Sequence, residues 1–86
     1  MPSPVLILLT KQHCHLCEAA RLAVARVANV VGIGWQDHVV DDDPVLLEKY
    51  AEELPVVLVD GIQRDFWTVD EARLERLLRQ GLQARA

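Results

Sequence analysis

The chain has 86 residues, 51% of them hydrophobic, and a formal net charge of −4. That length holds one domain, residues 1–86, which buries only about 60–65% of its unfolded surface but has apolar residues enough for a core. The acidic balance speaks against a nucleic-acid or anionic-membrane surface. The longest apolar run, Val5–Leu9, is far short of the ~20 residues of a membrane span. Met1-Pro2-Ser3-Pro4 carries no basic n-region, so no secretory leader is expected.

Val5–Leu9 is the first expected strand. From Leu16 to Val31 the apolar positions Leu16, Ala20, Ala23, Val24, Val27 and Val31 recur at helical spacing, with Glu18, Arg21 and Asn29 on the other face. Gly32 and Gly34 end that helix by supplying left-handed backbone. Trp35–Val40 reads as the second strand. The acidic run Asp41-Asp42-Asp43 stands before Pro44, and proline at the first helical position after aspartate marks a helix start rather than a metal or partner site. A short helix Pro44–Glu52 follows. Val56–Val59 is the third strand, Asp60-Gly61 a hairpin turn, and Ile62–Trp67 the fourth strand. Thr68 and Glu71 have capping-box spacing. The last helix turns Leu74, Leu77, Leu78 and Leu82 inward and Arg73, Arg76 and Arg79 outward. Trp35 and Tyr50 read as core or rim packing, and His38 as a structural polar residue.

The order is β-α-β-α-β-β-α, an α/β domain. A right-handed crossover makes the first two strands parallel, and the Asp-Gly turn makes the last two antiparallel. Helices then cover both faces of a mixed four-stranded sheet, an arrangement that resembles the thioredoxin fold in minimal form.

Chemistry concentrates in Cys14-His15-Leu16-Cys17. These are the two cysteines of the chain, and they stand where a strand passes into a helix. A thiol at a helix N-terminus meets the positive end of the dipole and unpaired N–H groups, both of which favour thiolate. A second cysteine one turn later can attack a mixed disulfide formed by the first. Cysteines at this spacing also make half of many zinc sites. The other half would have to come from His13 or His15 plus His38, at no recognised spacing, so no metal is expected. Two cysteines without a leader place a complete chain in the reducing cytoplasm, where such a pair is more often catalytic than structural.

With Cys14-His15-Leu16-Cys17 after the first strand, Leu54-Pro55-Val56-Val57 before the third, and this element order, the chain resembles a glutaredoxin-like member of the thioredoxin superfamily over nearly its whole length. It is similar above all to small bacterial glutaredoxin-like proteins. The resemblance implies a thiol–disulfide oxidoreductase and a cis Pro55 lying against the cysteines. Pro55 offers no N–H, and the backbone of Leu54 then faces a bound peptide or thiol. Lys11 matches a lysine that glutaredoxins commonly carry near the thiolate and the glutathione carboxylate. His15-Leu16 replaces the usual Pro-Tyr, Glu53-Leu54 replaces Thr-Val, and the Gly-Gly pair that holds glutathione is absent from Phe66-Trp67-Thr68-Val69-Asp70, where Asp70 either stands in for the family's Asp or is an acid of the first helical turn.

Cys14 is therefore expected as the attacking thiolate and Cys17 as the resolving thiol. Lys11, His15, Leu54, Pro55 and Trp67 are the expected substrate-binding or glutathione-binding residues. His15 supports the thiolate while protonated, and His13 reads as an exposed loop residue. No bound cofactor is expected. The expected partners are a disulfide-containing protein or small thiol and an electron donor, either glutathione or a reductase, for a monomeric protein. A metal-binding module and a non-catalytic interaction domain are the competing functions.

Overall fold

The computed structural model describes residues 3–85, so Met1, Pro2 and Ala86, including part of the stretch read for a leader, lie outside the described residues. Seven elements follow in the expected order: β1 (Leu6–Thr10), α1 (His15–Val31), β2 (Gln36–Val39), α2 (Pro44–Tyr50), β3 (Val56–Val59), β4 (Ile62–Phe66) and α3 (Glu71–Arg85). The sheet order is β2-β1-β3-β4. β1 runs parallel to β2, with Leu8 opposite Asp37, and antiparallel to β3, with Leu8 opposite Val57. β3 and β4 form the hairpin, whose register shifts between Val57 and Leu58.

The two-residue period of the strands splits the core into two layers. Leu6, Leu8, Val57 and Val59 face α1 and α3, where they meet Ala20, Val24, Val27, Ala28, Leu74 and Leu78. Leu9 and Val56 face the other way, toward Val40, Tyr50 and Leu54, with Ile7, Leu46, Leu47 and Leu58 partly buried around them. Helices thus cover both faces. Among the described residues no helix is long and apolar enough to cross a membrane.

Boundaries move for local reasons. Val5 stays outside β1 because its N–H is taken by Asp60 Oδ1 at 3.0 Å, and β1 instead continues to Thr10. Gly32 closes α1 in the left-handed region (φ 85°), donating to the Ala28 carbonyl at 2.8 Å, whereas Gly34 is not left-handed. α2 stops at Tyr50, two residues early, and the chain turns with Glu53 N–H on the Tyr50 carbonyl at 2.8 Å. Its start is the expected one, with Asp43 Oδ1 accepting the Leu46 N–H at 3.2 Å.

Two side-chain assignments change. Leu16 is 46% exposed, and its neighbour Cys17 takes the buried place instead. Arg21, expected on the solvent face, is half-buried and bonded to Asp37 at 2.6 Å. His38 lies 3.4 Å from Asp43, in keeping with a structural role.

Candidate active site

The loop after β1 presents the cysteines. It is tied across to the β2–α2 turn by the Gln12 N–H on Asp41 Oδ1 at 3.0 Å, and His13 turns it through the left-handed region (φ 56°). Cys14 then occupies the N-cap of α1 in extended backbone, where aspartate or serine commonly sits. Its Sγ accepts the Cys17 N–H at 3.2 Å and its carbonyl accepts the Glu18 N–H at 3.2 Å. Cys14 is half-buried and Cys17 fully buried, and both are free thiols. Burial pushes the Cys17 thiol up to about 11, and its contact with Cys14 acts the same way. The Lys11 backbone N–H and the Arg21 guanidinium oppose that rise.

Leu54 and Pro55 are buried just before β3, and the peptide bond between them is cis. Trp67 is fastened to this segment twice: its backbone N–H donates to the Pro55 carbonyl at 2.8 Å and its indole N–H to the Glu52 carbonyl at 2.9 Å. These bonds hold Trp67 at φ 66°, a region unfavourable for a bulky residue, and end β4 at Phe66. Half of the indole remains exposed, edge-on to Phe66 with ring centroids 5.0 Å apart. Trp67, Thr68 and Val69 form one wall of an open groove of about 210 Å³; Leu16, Ala19 and Ala23 form the other. The groove therefore begins between the two cysteines in sequence. Lys11 and His15 are exposed beside the cysteines but outside this groove.

The start of α3 closes the far end. The expected capping box is not made: Thr68 donates its N–H to the Phe66 carbonyl, and Asp70 is the cap instead. Asp70 Oδ1 accepts the Arg73 N–H at 3.0 Å, while Asp70's own N–H is seated on Asp65 Oδ2 at 2.8 Å. Glu71, freed from capping, makes two bonds to Arg26 at 3.1 and 2.9 Å. That guanidinium holds the Glu71 carboxyl below its usual range. Among the described residues no three His, Cys, Asp or Glu side chains converge as metal ligands.

The model of the "Glutaredoxin-like domain (DUF836)" family matches residues 5–79. The chain belongs to this family. An uncharacterized protein of Mycobacterium tuberculosis is 33% identical over 79 residues, 86% of this chain and 81% of that protein. The X-ray structure of protein XcR50 from X. campestris is 30% identical, with a TM-score of 0.70 over 88% of this chain and 97% of that one. A thioredoxin variant from Halobacterium salinarum shares the fold at a TM-score of 0.66 and 23% identity, covering 92% of this chain and 74% of that one.

Three features of this glutaredoxin-like domain escape sequence reading. Asp41 anchors the cysteine loop, Asp65 seats the α3 cap, and Arg21, Asp37 and Thr10 form a network beside Cys17. Their partners are 29, 5, 16 and 27 residues away in the chain, distances that carry no periodic signal. A faint sign exists for Arg21, which lies one helical turn after Cys17.

Proposed function

We propose that this glutaredoxin-like chain is a thiol–disulfide oxidoreductase in which Cys14 attacks and Cys17 resolves. The observation that carries the reading is the unequal placement of the two sulfurs. Cys14 stands half-open at the N-cap of α1 with a backbone N–H on its sulfur, whereas Cys17 is shut in the first turn. The Cys14 thiolate attacks one sulfur of a substrate disulfide, forms a mixed disulfide, and expels the other sulfur as a thiolate. Cys17 then loses its proton to solvent and attacks Cys14 Sγ. The second substrate sulfur leaves with its electron pair, and Cys14–Cys17 is left oxidised. Glutathione or a reductase returns the two electrons, in a reducing compartment such as the cytoplasm.

By the family resemblance the Leu54 backbone ahead of the cis Pro55 is the edge a substrate would pair with, and the exposed Trp67 and Leu16 are its apolar walls. Lys11 and His15 are exposed on the loop and first turn that carry Cys14, within reach of a bound substrate. The α3 N-terminus points away from glutathione as the principal substrate. The Asp70 and Arg73 N–H groups there already donate to Asp65 and Asp70, and Glu71 adds a further carboxylate, so a γ-glutamyl carboxylate meets three acids at that helix start. A protein or peptide disulfide is the better fit.

Mild oxidation should yield a species lighter by two hydrogens with both thiols closed to alkylation. Cys14→Ser should abolish reduction of a peptide disulfide, and Cys17→Ser should accumulate the mixed disulfide. Full alkylation of both cysteines after oxidation would overturn the proposal. Glutathione titrated into the oxidised protein should produce only weak amide NMR shifts. Saturation in the micromolar range at Lys11, Leu54 and Asp70 would restore glutathione as a ligand.

A further inference from the structure

Cys17 must ionise in order to act, yet its surroundings resist ionisation. The sulfur is 0% exposed. The charged or titratable side chains acting on it or on its neighbours are Cys14 at the α1 N-cap, Arg21 from α1 and Asp37 from β2; Lys11 contributes its backbone N–H. Arg21 follows Cys17 by one helical turn, which brings the two side chains to the same side of α1. Its position is built rather than incidental. Arg21 Nε meets Asp37 Oδ2 at 2.6 Å, and Asp37 Oδ1 accepts the Thr10 hydroxyl at 2.7 Å. Thr10 is itself fully buried at the end of β1, immediately before the cysteine loop. A half-exposed ion pair adds little to stability, but this one keeps an otherwise flexible guanidinium from swinging into solvent.

We propose that Arg21, seated by Asp37 and Thr10, is the positioning residue of the resolving step, supporting the Cys17 thiolate that closes the Cys14–Cys17 disulfide. The proposal rests on the dithiol reading above. Its weight is greatest in the mixed disulfide. Once Cys14 carries the substrate sulfur, the free Cys14 thiol that hinders ionisation of Cys17 is gone. Burial is then opposed by Arg21 and the Lys11 N–H. Arg21 holds its own proton more tightly, through Asp37 first and the two thiols after it. The step needs no further reagent, because the substrate disulfide is the oxidant. The Cys17 proton goes to solvent, the Cys17–Cys14 bond forms, and the substrate sulfur departs with the electron pair of the broken bond.

A nearby opposite charge moves a titrating group by about 1–3 pH units, and Asp37 offsets part of this charge, so about one unit is expected here. Losing one unit lowers the thiolate fraction about tenfold, while the more basic thiolate is about threefold more nucleophilic. Resolution should then slow about three- to fourfold below the midpoint. The probe is dithiobis(nitrobenzoate) with the reduced full chain: the first thionitrobenzoate reports Cys14 attack, the second reports Cys17 resolution. Followed by stopped flow from about pH 6 to 11, Arg21→Gln should displace the second phase to higher pH, read as a rate about three- to fourfold lower along the rising limb below the midpoint. Arg21→Lys, which keeps the charge, should retain the wild-type rate along that limb. Arg21→Met, which keeps the stem packing, replaces Arg21→Gln if that variant loses its far-UV circular dichroism. A second-phase rate along that limb in the neutral variants equal to wild type would overturn the proposal, as would Arg21→Lys behaving like Arg21→Gln. If the wild type releases no second equivalent, the dithiol reading fails and this one falls with it. That result is distinct from a normal wild type with indifferent variants.

Discussion

Replacing Cys14 with serine leaves Cys17 as the sole thiol and turns its burial into a measurable rate. A thiol at the ordinary value of 9.0 is about 9% thiolate at pH 8, whereas one at about 11 is about 0.1% thiolate. The variant keeps the largest cause of that rise, burial, and places a hydroxyl where the Cys14 thiol stood. The full rise sets the ceiling, since the Cys14 thiol that adds to it is gone: there the thiolate fraction falls about 90-fold while nucleophilicity gains about eightfold, a net slowing of up to about tenfold. Zero exposure of the sulfur adds steric exclusion to that factor. The assay is release of thionitrobenzoate from dithiobis(nitrobenzoate) by folded Cys14→Ser, compared with the same variant in denaturant and normalised to free cysteine under each condition. With ionisation and steric exclusion acting together, folded protein should react about tenfold more slowly. A native rate within about twofold of the unfolded rate would show that Cys17 is neither closed nor hard to ionise, and the assignment of attacking and resolving roles would fail.

The same thiol links redox state to pH stability. Because folding raises the Cys17 value from 9.0 to about 11, its contribution to the reduced protein is complete below about pH 9 and is lost as pH rises through about 11. Urea titrations of the reduced form should lose on the order of 2 kcal/mol across that window, and the oxidised form, with no thiol to ionise, should not show this loss. Leu78→Ala, at a fully buried position between α3 and the sheet, should cost about 2–5 kcal/mol in the same titration. Trp67→Ala removes the half-exposed wall of the groove and should raise KM for a peptide disulfide about fivefold, read in steady-state reduction kinetics. Asp43→Ala deletes the α2 N-cap and should lower stability by about 1 kcal/mol, checked by thermal unfolding.

Local physics made most of the fold readable in advance. Period-two apolar runs place Leu6, Leu8, Val57 and Val59 on one face and Leu9 and Val56 on the other. The Asp43-Pro44 start, the Gly32 stop and the Asp60-Gly61 turn each act within a few residues. The cysteine pair at the strand–helix junction was visible for the same reason, since a cap is a property of adjacent residues. What resisted reading depends on segments distant in the chain meeting on the folded surface. Thr68 had the spacing of a cap, but Asp70 won because Asp65, on β4, was there to hold its N–H. Arg21 had the period of a solvent residue, but β2 brought Asp37 within reach of it. The pinning of Trp67 likewise needs the Glu52 and Pro55 carbonyls of the loop before β3. Apolar periodicity repeats along the chain and so survives in one dimension. A hydrogen bond between two polar side chains carries no period, and it exists only once packing has brought its ends together.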